Sequence, residues 1–219
     1  TRQLSKSLNS ALSGVAEAIT RVLIDLSPTS GAFYSLDSEF VATDEFEAEI
    51  DFLTSSTDSF SMILGGSSSG DYLALRSGGE LRLSIDGAVF NQTTGGYNDG
   101  VLHTVKISRV GTTVSISADG VTLVTATNTA PFKVDRVGTW ANNSFYFKGI
   151  ESNLRLTDVD TPANNLEFNL NQLTANTETS SGVTATYNNI GTANTIRNTY
   201  ELSADGTQLI SDLRTIDIA

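Results

Sequence analysis

Apolar and polar residues alternate with a period of two through the middle of the chain. The clearest run begins at residue 101 and puts four residues on one face of a strand: Val101, His103, Val105 and Ile107. A second run repeats the pattern with Val114, Ile116 and Ala118, and the Asp119-Gly120 step that follows it can adopt positive φ. The pattern predicts a β-hairpin with these core-facing residues: Val105, Ile107, Val114 and Ile116.

The residues of this hairpin also match a known pattern. Residues 99–109 read DGVLHTVKISR, and residues 147–155 read FKGIESNLR. Both stretches resemble signature strands of laminin-G-like domains in the concanavalin A-like lectin/glucanase superfamily. The resemblance covers about residues 30–172 and implies a mainly β fold, a jelly roll of two antiparallel sheets. Because that fold hosts lectins, adhesion modules and glycan hydrolases alike, the resemblance leaves the function open.

Further alternation, interrupted by glycine-rich loops, predicts the other strands. We expect them over residues 32–36, 46–52, 59–64, 72–76 and 81–85. Residues 173–219 are rich in Thr, Asn and Ser, with strands expected over 183–187 and 199–202. The chain therefore divides into an N-terminal segment (1–29), a jelly roll (30–172) and a C-terminal extension (173–219) that packs on the jelly roll or on a partner.

The N-terminal segment has a different period. Over residues 4–26, six apolar residues follow one another at spacings of 4, 3, 4, 3 and 4: Leu8, Leu12, Val15, Ile19, Val22 and Leu26. This spacing predicts a helix with a coiled-coil seam, which ends before Pro28. β-Branched residues at the d positions favour three or four strands over a parallel dimer, so we expect a homotrimer. The alternative is a helix that lies along its own jelly roll.

Charge and composition exclude several classes of partner. The net charge is −12, and no stretch concentrates Lys or Arg to neutralise phosphates, so nucleic acid and anionic membranes are excluded. The chain has no cysteine for disulfides and no run of 18 apolar residues for a membrane span. Only 17% of residues are charged, as in extracellular and virion β-proteins, and the N-terminal segment lacks the apolar core of a signal peptide. These features favour the virion surface of a bacterial virus, with an extracellular or bacterial cell-surface location as the alternative.

One predicted strand resembles a catalytic motif. Residues 49–54, EIDFLT, are similar to the E-[IL]-D-[FIV]-x-E signature of laminarinase-like glycoside hydrolases on the same fold. Glu49 and Asp51 share a strand face at a backbone separation of roughly 7 Å, which is compatible with a pair of catalytic carboxyls. Thr54 stands where the third acid would be, so we expect no enzyme and keep a glycan hydrolase as an alternative.

Metal and histidine chemistry are limited by the composition. His103 is the only histidine, so we expect a packed imidazole hydrogen-bonded to backbone rather than a triad or a two-histidine metal site. No cofactor is expected from the residues themselves. Laminin-G-like domains often hold Ca²⁺ through loop carboxylates and carbonyls. By this resemblance the candidate ligands here are the carboxylates of Asp71 and Asp99, and Asn142 and Asn143 are further loop residues with suitable oxygens. Solvated turns explain these residues equally well.

Carbohydrate contact needs an aromatic platform beside hydrogen-bonding amides. The loop over residues 139–144 carries Trp140, the only tryptophan, next to Asn142 and Asn143, while Tyr97 and Tyr72 are further aromatic candidates. We expect a non-catalytic virion protein of fibre, spike or head-decoration type that binds host glycans or neighbouring virion subunits. Display in several copies would raise the avidity of weak sites. A purely structural assembly or cement protein is the alternative.

Overall fold

The computed structural model describes residues 31–68, 70–91, 95–170, 177–189, 197–202 and 209–216. Within them, the regular elements are β-strands apart from a short 3₁₀ turn at Pro162–Asn164. The strands in chain order are β1 (Ala32–Ala42), β2 (Phe46–Leu53), β3 (Phe60–Gly65), β4 (Tyr72–Arg76), β5 (Leu81–Ile85), β6 (Ala88–Asn91), β7 (Leu102–Val110), β8 (Thr113–Ala118), β9 (Val121–Thr127), β10 (Phe132–Val137), β11 (Ile150–Asp158), β12 (Leu166–Phe168), β13 (Thr177–Ser180), β14 (Val183–Asn189), β15 (Arg197–Leu202) and β16 (Leu209–Ile216).

The strands form a sandwich of two antiparallel sheets. The larger sheet has eight strands in the order β13-β14-β1-β10-β3-β4-β5-β6, and the smaller sheet has six in the order β12-β11-β2-β7-β8-β9. β15 and β16 form a separate pair. The chain passes repeatedly from one sheet to the other, so both sheets combine strands that are distant in sequence. The mainly β fold of two packed antiparallel sheets is confirmed, as the jelly-roll prediction requires.

The two sheets bury one main apolar core between them. The predicted hairpin is β7–β8, and its four core-facing residues are at most 2% exposed: Val105, Ile107, Val114 and Ile116. In β2, the inward residues are Phe46, Ala48, Ile50 and Phe52, and the acidic residues between them point to the opposite face. This arrangement follows from the period-two pattern, because successive side chains of a strand point to opposite faces.

Some strand bounds agree with the pattern, others differ by one or two residues, and β1 differs most. β4 and β5 begin and end at the predicted residues. β1 continues beyond the predicted 32–36 to Ala42, and its pairing register with β10 shifts between Ser35 and Phe40. An irregularity of this kind inserts residues into one strand and interrupts the alternation. A period-two search therefore finds only the first half of β1.

The larger sheet continues into the predicted C-terminal extension. β14 pairs with β1 from Ala32↔Asn189 to Leu36↔Ala185, and β13 pairs with β14 at the sheet edge. These two strands extend the sandwich beyond residue 172. The rest of the three-part division of the chain stays a prediction. The predicted N-terminal helix over residues 4–26 lies outside the described residues. In the part of the chain that is described, no helix is long and apolar enough to cross a membrane.

Candidate functional site

Four aromatic side chains contact one another on the outward face of the larger sheet. Phe60 in β3 and Tyr72 in β4 have ring centroids 5.9 Å apart. Trp140 and Phe145 reach this face from the loop 138–149 between β10 and β11, and the Trp140 centroid lies 6.1 Å from that of Tyr72. The Phe145 ring lies 5.8 Å from Phe60 and 5.5 Å from Trp140. We call these four residues the aromatic cluster.

The residue pattern of β4 explains why an apolar surface exists on this outward face. Leu73 and Leu75 belong to the main core, so Tyr72 and Ala74 point to the other side of the sheet. A second apolar group lies there: Met62, Tyr72 and Ala74, with Phe60 and Trp140 packed against it. β4 is therefore apolar on both faces, and the loop 138–149 supplies part of the cover for the outer one.

Backbone hydrogen bonds hold this loop against the sheet. The N–H of Asn143 donates to the carbonyl of Trp140 at 2.8 Å, and the N–H of Trp140 donates to the carbonyl of Ser144 at 3.1 Å. The N–H of Met62 donates to the carbonyl of Phe145 at 2.9 Å, which fixes the loop to β3. Phe145 has a φ of +56°, in the left-handed region that costs of order 1–3 kcal/mol for such a residue. Its ring contacts and this backbone bond offset that cost.

The aromatic cluster is partly open to solvent. Phe145 is 46% exposed, while Tyr72, at 8%, lies at the base of the cluster. Asn142 and Asn143 are exposed on the same loop. The indole N–H of Trp140 is enclosed and has no hydrogen-bond partner among the described residues. The surface thus presents an exposed aromatic ring beside amide donors and acceptors, which suits a ligand with one apolar and one polar side.

From the predicted carbohydrate-binding set, the structure brings Trp140 into ring contact with Tyr72, and the exposed Asn142 and Asn143 are on the same loop as Trp140. Tyr97 lies elsewhere, since its ring packs edge-on against His103 with a centroid distance of 5.0 Å. Two members of the cluster were missed by the sequence reasoning: Phe60 and Phe145. A signal for Phe60 was available, because Phe60 and Met62 share one face of β3 at a spacing of two.

A cation lies over the base of the aromatic cluster. The guanidinium carbon of Arg82 is 5.3 Å from the ring centroid of Phe60 and 5.9 Å from that of Tyr72, within the range of cation–π attraction. Arg82 is on β5, directly opposite Ala74 of β4, and therefore shares the outward face. The sequence pattern does not indicate this residue, because only the strand register brings it beside the rings.

His103 is held by two carboxylates rather than by backbone, which corrects the prediction of a backbone-bonded imidazole. Its Nδ1 lies 2.8 Å from Oδ2 of Asp119, and its Nε2 lies 3.1 Å from Oδ1 of Asp99. Each of the two ring nitrogens therefore faces its own carboxylate, and an ionised carboxylate accepts hydrogen bonds only. The pKa of Asp99 is lowered: burial alone would raise it, but the Val101 N–H and the His103 ring stabilise the ionised form. This arrangement fixes the start of the β7–β8 hairpin.

The two calcium candidates have separate partners. Asp71 is 2% exposed and accepts hydrogen bonds from the Ser68 hydroxyl at 3.1 Å and the Asp86 N–H at 3.3 Å. Burial raises the pKa of Asp71, and these hydrogen bonds oppose the shift. Asp99 instead contacts His103. Across the described ranges, no group of three or more His, Asp or Glu side chains is placed to hold a metal ion. A calcium site of one or two carboxylates with backbone carbonyls stays a prediction.

The pair that resembles a hydrolase motif is engaged across the smaller sheet. An oxygen of Glu49 accepts a hydrogen bond from Arg155 at 3.1 Å, and Asp51 accepts one from Thr104 at 2.6 Å and one from Asn153 at 2.6 Å. Thr54, in the third position of the motif, is buried and donates its hydroxyl hydrogen to a backbone carbonyl. Glu49 is therefore an ion-paired carboxylate, and the position of the third acid holds a hydroxyl without acid strength.

A cavity of about 200 Å³ lies away from the aromatic cluster, between β1 and the Pro162–Asn164 turn. Its lining includes the polar residues Ser38, Glu39 and Ser181 together with the ring of Phe40. Ligand sites of proteins usually enclose about 300–1,000 Å³. Phe40 is only 3% exposed and offers no free aromatic face. The aromatic cluster is therefore the better candidate site, although it is a surface rather than a cleft.

One titratable group is buried outside these sites. Glu151 in β11 lies opposite Phe52 of β2, whose ring belongs to the main core. Glu151 is 0% exposed, and neither carboxyl oxygen has a hydrogen-bond partner among the described residues. Burial raises the pKa of Glu151 well above its usual value. Its carboxyl is therefore held in the protonated form to a higher pH than that of an exposed glutamate.

The fold and the candidate site define a β-sandwich module with an exposed aromatic surface. The model of the Laminin G domain family matches residues 52–169, more than half of the chain, and the chain therefore belongs to the laminin G family. The resemblance of its hairpin and of β11 to that family is confirmed. We find no curated protein whose sequence matches the chain.

Solved structures share the fold at low sequence identity. A Bacteroides ovatus protein proposed to bind carbohydrate is similar with a TM-score of 0.62 and 13% identity, over 87% of this chain and 61% of that one. The LG1-3 region of the laminin α2 chain has a TM-score of 0.51 and 18% identity, over 78% of this chain and 29% of that one. Mouse laminin α1 domains LG4-5 have a TM-score of 0.50 and 20% identity, over 75% and 45%. This chain spans less than two thirds of each, and these identities establish the fold alone.

Proposed function

We propose that this chain is a non-catalytic, glycan-binding laminin G domain whose contact surface is the aromatic cluster. The observation that carries the proposal is the exposed ring of Phe145, which is on the same loop as the exposed Asn142 and Asn143 and contacts two further aromatic rings. A sugar ring has an apolar face of C–H groups and an edge of hydroxyls. An exposed aromatic ring provides a surface for the first, and amide groups hydrogen-bond to the second.

Two further observations support a binding role without catalysis. The chain belongs to the laminin G family, and the Bacteroides ovatus protein of the same fold is proposed to bind carbohydrate. Glu49 and Asp51 are both engaged by neighbouring strands, and Thr54 cannot donate a proton as a carboxylic acid can. The stretch that resembles a hydrolase motif therefore lacks the motif's third acid, which supports binding without hydrolysis.

We also propose that the domain is displayed on the surface of a bacteriophage virion, as a fibre, spike or head-decoration protein. The low charged fraction of 17%, the absence of cysteine and the net charge of −12 support this location. The predicted trimer through residues 4–26 would present several sites at once, and multivalency raises avidity by about 10² or more. Immunogold labelling of intact particles tests the location. Labelled virions are the expected result, and particles that lack the chain would refute it.

Titration calorimetry of the full chain with oligosaccharides tests the site. Phe145→Ser removes the exposed ring of the aromatic cluster. Full burial of a phenylalanine side chain contributes about 1.5–3 kcal/mol, and a side chain that is 46% exposed has about half of that available to a ligand. We therefore expect roughly four- to twelvefold weaker binding. A thermal melt of the variant verifies that the domain stays folded.

Val110→Ser is the matched control for this experiment. Val110 is 68% exposed at the end of β7 in the smaller sheet, so the change removes an exposed apolar side chain far from the aromatic cluster. It should leave glycan binding unchanged. An equal loss in both variants would refute the assignment of the site. A wild-type chain that binds none of the glycans would refute the function.

A structural assembly or cement protein is the second candidate function. The same exposed Phe145 favours it, because exposed apolar rings among polar residues also mark contacts between proteins. In that case the wild-type chain should bind no glycan, and Phe145→Ser should reduce its incorporation into particles. Val110→Ser again serves as the control, since it should be incorporated normally.

A further inference from the structure

Two arginines share the outward face of the larger sheet with the aromatic cluster. Arg82 of β5 lies opposite Ala74 of β4, and Arg76 follows Ala74 by two residues on the same face. Arg76 and Arg82 are thus diagonal neighbours, at a typical backbone separation of about 7–8 Å. Arg76 also lies directly opposite Phe60 of β3. Both guanidinium groups therefore lie on one continuous surface with the aromatic rings.

These two arginines have no carboxylate partner among the described residues. Most other described cations do, in the pairs Lys106–Glu47, Arg136–Asp135, Lys148–Asp58 and Arg155–Glu49. Glu80, in the turn between β4 and β5, lies with its carboxylate against Gly78 and forms no ion pair with either arginine. In a chain with a net charge of −12, two neighbouring unpaired arginines form a local positive site.

Arg82 is also held in place before any ligand arrives. Its guanidinium lies over both Phe60 and Tyr72, and its enclosed Nε has no hydrogen-bond partner among the described residues. Stacking on two rings restricts the rotamers of the long side chain, so less conformational entropy is lost when it binds an anion. Phe60 contacts both Arg82 and the exposed Phe145. One ligand can therefore touch an aromatic platform and a cation.

We propose that Arg76 and Arg82 bind the carboxylate of an acidic sugar whose ring lies on the aromatic cluster. This inference rests on the proposed glycan-binding function and names its ligand class. A planar guanidinium matches a carboxylate with two parallel N–H···O bonds, and such charge-assisted pairs are stronger than hydrogen bonds between neutral groups. Neutral sugars use the aromatic rings and the loop amides alone. The site therefore discriminates by charge, with uronic and sialic acids as the favoured terminal residues.

Titration calorimetry with charged and neutral probes tests this inference. The probes are sialyllactose, digalacturonic acid and, as the neutral counterpart, lactose. We expect the wild-type full chain to bind both acidic probes more tightly than lactose. Arg82→Gln and Arg76→Gln should each weaken the acidic probes by about ten- to a hundredfold and weaken lactose far less. Arg82→Lys keeps the charge but loses the planar fork, so it should restore part of the affinity.

Arg155→Gln is the matched control, because it removes the same charge from the outward face of the smaller sheet. Arg155 is exposed and pairs with Glu49 and Glu167 at 3.1 and 3.2 Å. It should leave binding of all three probes unchanged. If Arg155→Gln weakens the acidic probes as much as Arg82→Gln, the effect is one of net charge and the inference is wrong.

The remaining outcomes separate the inference from the proposed function. Equal affinity for lactose and the acidic probes, unaffected by either arginine variant, overturns the acidic-sugar assignment and leaves glycan binding intact. If no probe binds to the wild-type chain, the proposed function fails and the inference fails with it. Binding of the acidic probes should weaken when sodium chloride rises from about 50 to about 500 mM, whereas lactose binding should not. An affinity for the acidic probes that does not change with salt concentration also contradicts the inference.

Discussion

Replacing Glu151 by glutamine should stabilise the domain at neutral pH but not at acid pH. Glu151 is fully buried opposite Phe52, and its carboxyl oxygens have no hydrogen-bond partner among the described residues. An ionised carboxylate at this position would be an uncompensated charge in an apolar core, which is too costly to persist. The domain therefore folds with this side chain protonated, in keeping with the raised pKa that burial causes.

The sign and size of the effect follow from proton linkage. An unfolded glutamate loses its proton near pH 4.3, whereas the folded chain keeps the proton to a higher pH. Between these two pKa values the folded state binds one more proton, so the free energy of unfolding falls by about 1.4 kcal/mol for each pH unit of rise. The loss accumulates over the whole interval between the unfolded and the folded pKa of Glu151. Below about pH 4 both states are protonated, and nothing is lost.

Glutamine has nearly the same shape and cannot ionise. Glu151→Gln should match the wild type within about 1 kcal/mol near pH 4 and exceed it by an amount that grows toward pH 7. Glu151→Leu removes the unpaired polar atoms as well, each worth about 1–3 kcal/mol when buried, and should be more stable at both pH values.

Urea unfolding between pH 4 and pH 8 measures these differences. Trp140 is the only tryptophan, so its fluorescence reports the loop, and circular dichroism reports the strands. Subtracting the free energy of unfolding of the wild type from that of the variant at each pH removes the contribution of all other titrating groups. Glu167→Gln is the control, because the Glu167 side chain is 71% exposed and loses the same charge. A wild-type-to-glutamine difference that stays constant across this pH range would refute the reasoning.

Three further predictions concern packing, assembly and catalysis. Gly65→Ala should destabilise the domain by about 2 kcal/mol or more and shift the Trp140 fluorescence, because an added Cβ would lie 2.3 Å from the carbonyl oxygen of Thr139. Gly87→Ala is the control: its added Cβ meets nothing within 4 Å, so only the φ of +81° should destabilise it, by about 1 kcal/mol. Ile19→Asp should dissociate the predicted trimer in light scattering and leave the β-sandwich folded, and a monomeric wild-type chain at micromolar concentration would contradict self-association through residues 4–26. The wild-type chain should not hydrolyse β-glucan, and turnover that disappears in Glu49→Gln would disprove that expectation.

The period-two pattern was sufficient to predict the hairpin and several strand bounds, and the resemblance to laminin-G-like strands supplied the two-sheet fold. Each inward residue of β7 and β8 is placed by the geometry of a single strand, which depends only on local sequence. The pattern was insufficient for β1, where the register shift interrupts the alternation, and for the pairing of β14 with β1. Pairing between strands so far apart in sequence depends on the topology of the whole chain, which no local window contains.

Only part of the candidate site could be predicted, because local sequence connects neighbouring residues but not residues on different strands. Trp140, Asn142 and Asn143 are neighbours in sequence, so one loop was enough to connect them. Arg82 and Phe145 joined the site only through strand register and the path of the loop 138–149 across β3. Tyr97 looked equally aromatic in the sequence, but the fold packs it against His103 instead.

For the charged residues too, local sequence determines the strand face and the tertiary structure determines the partners. Local alternation was enough to place Glu49 and Asp51 on the outward face of β2, because one strand decides that. The partners of those carboxylates, the two carboxylates that hold His103 and the inward position of Glu151 were decided by neighbouring strands. Sequence patterns record which face of a strand prefers water, since that preference acts on each residue separately. Which groups meet across the faces depends on long-range packing, and therefore only the folded chain determines it.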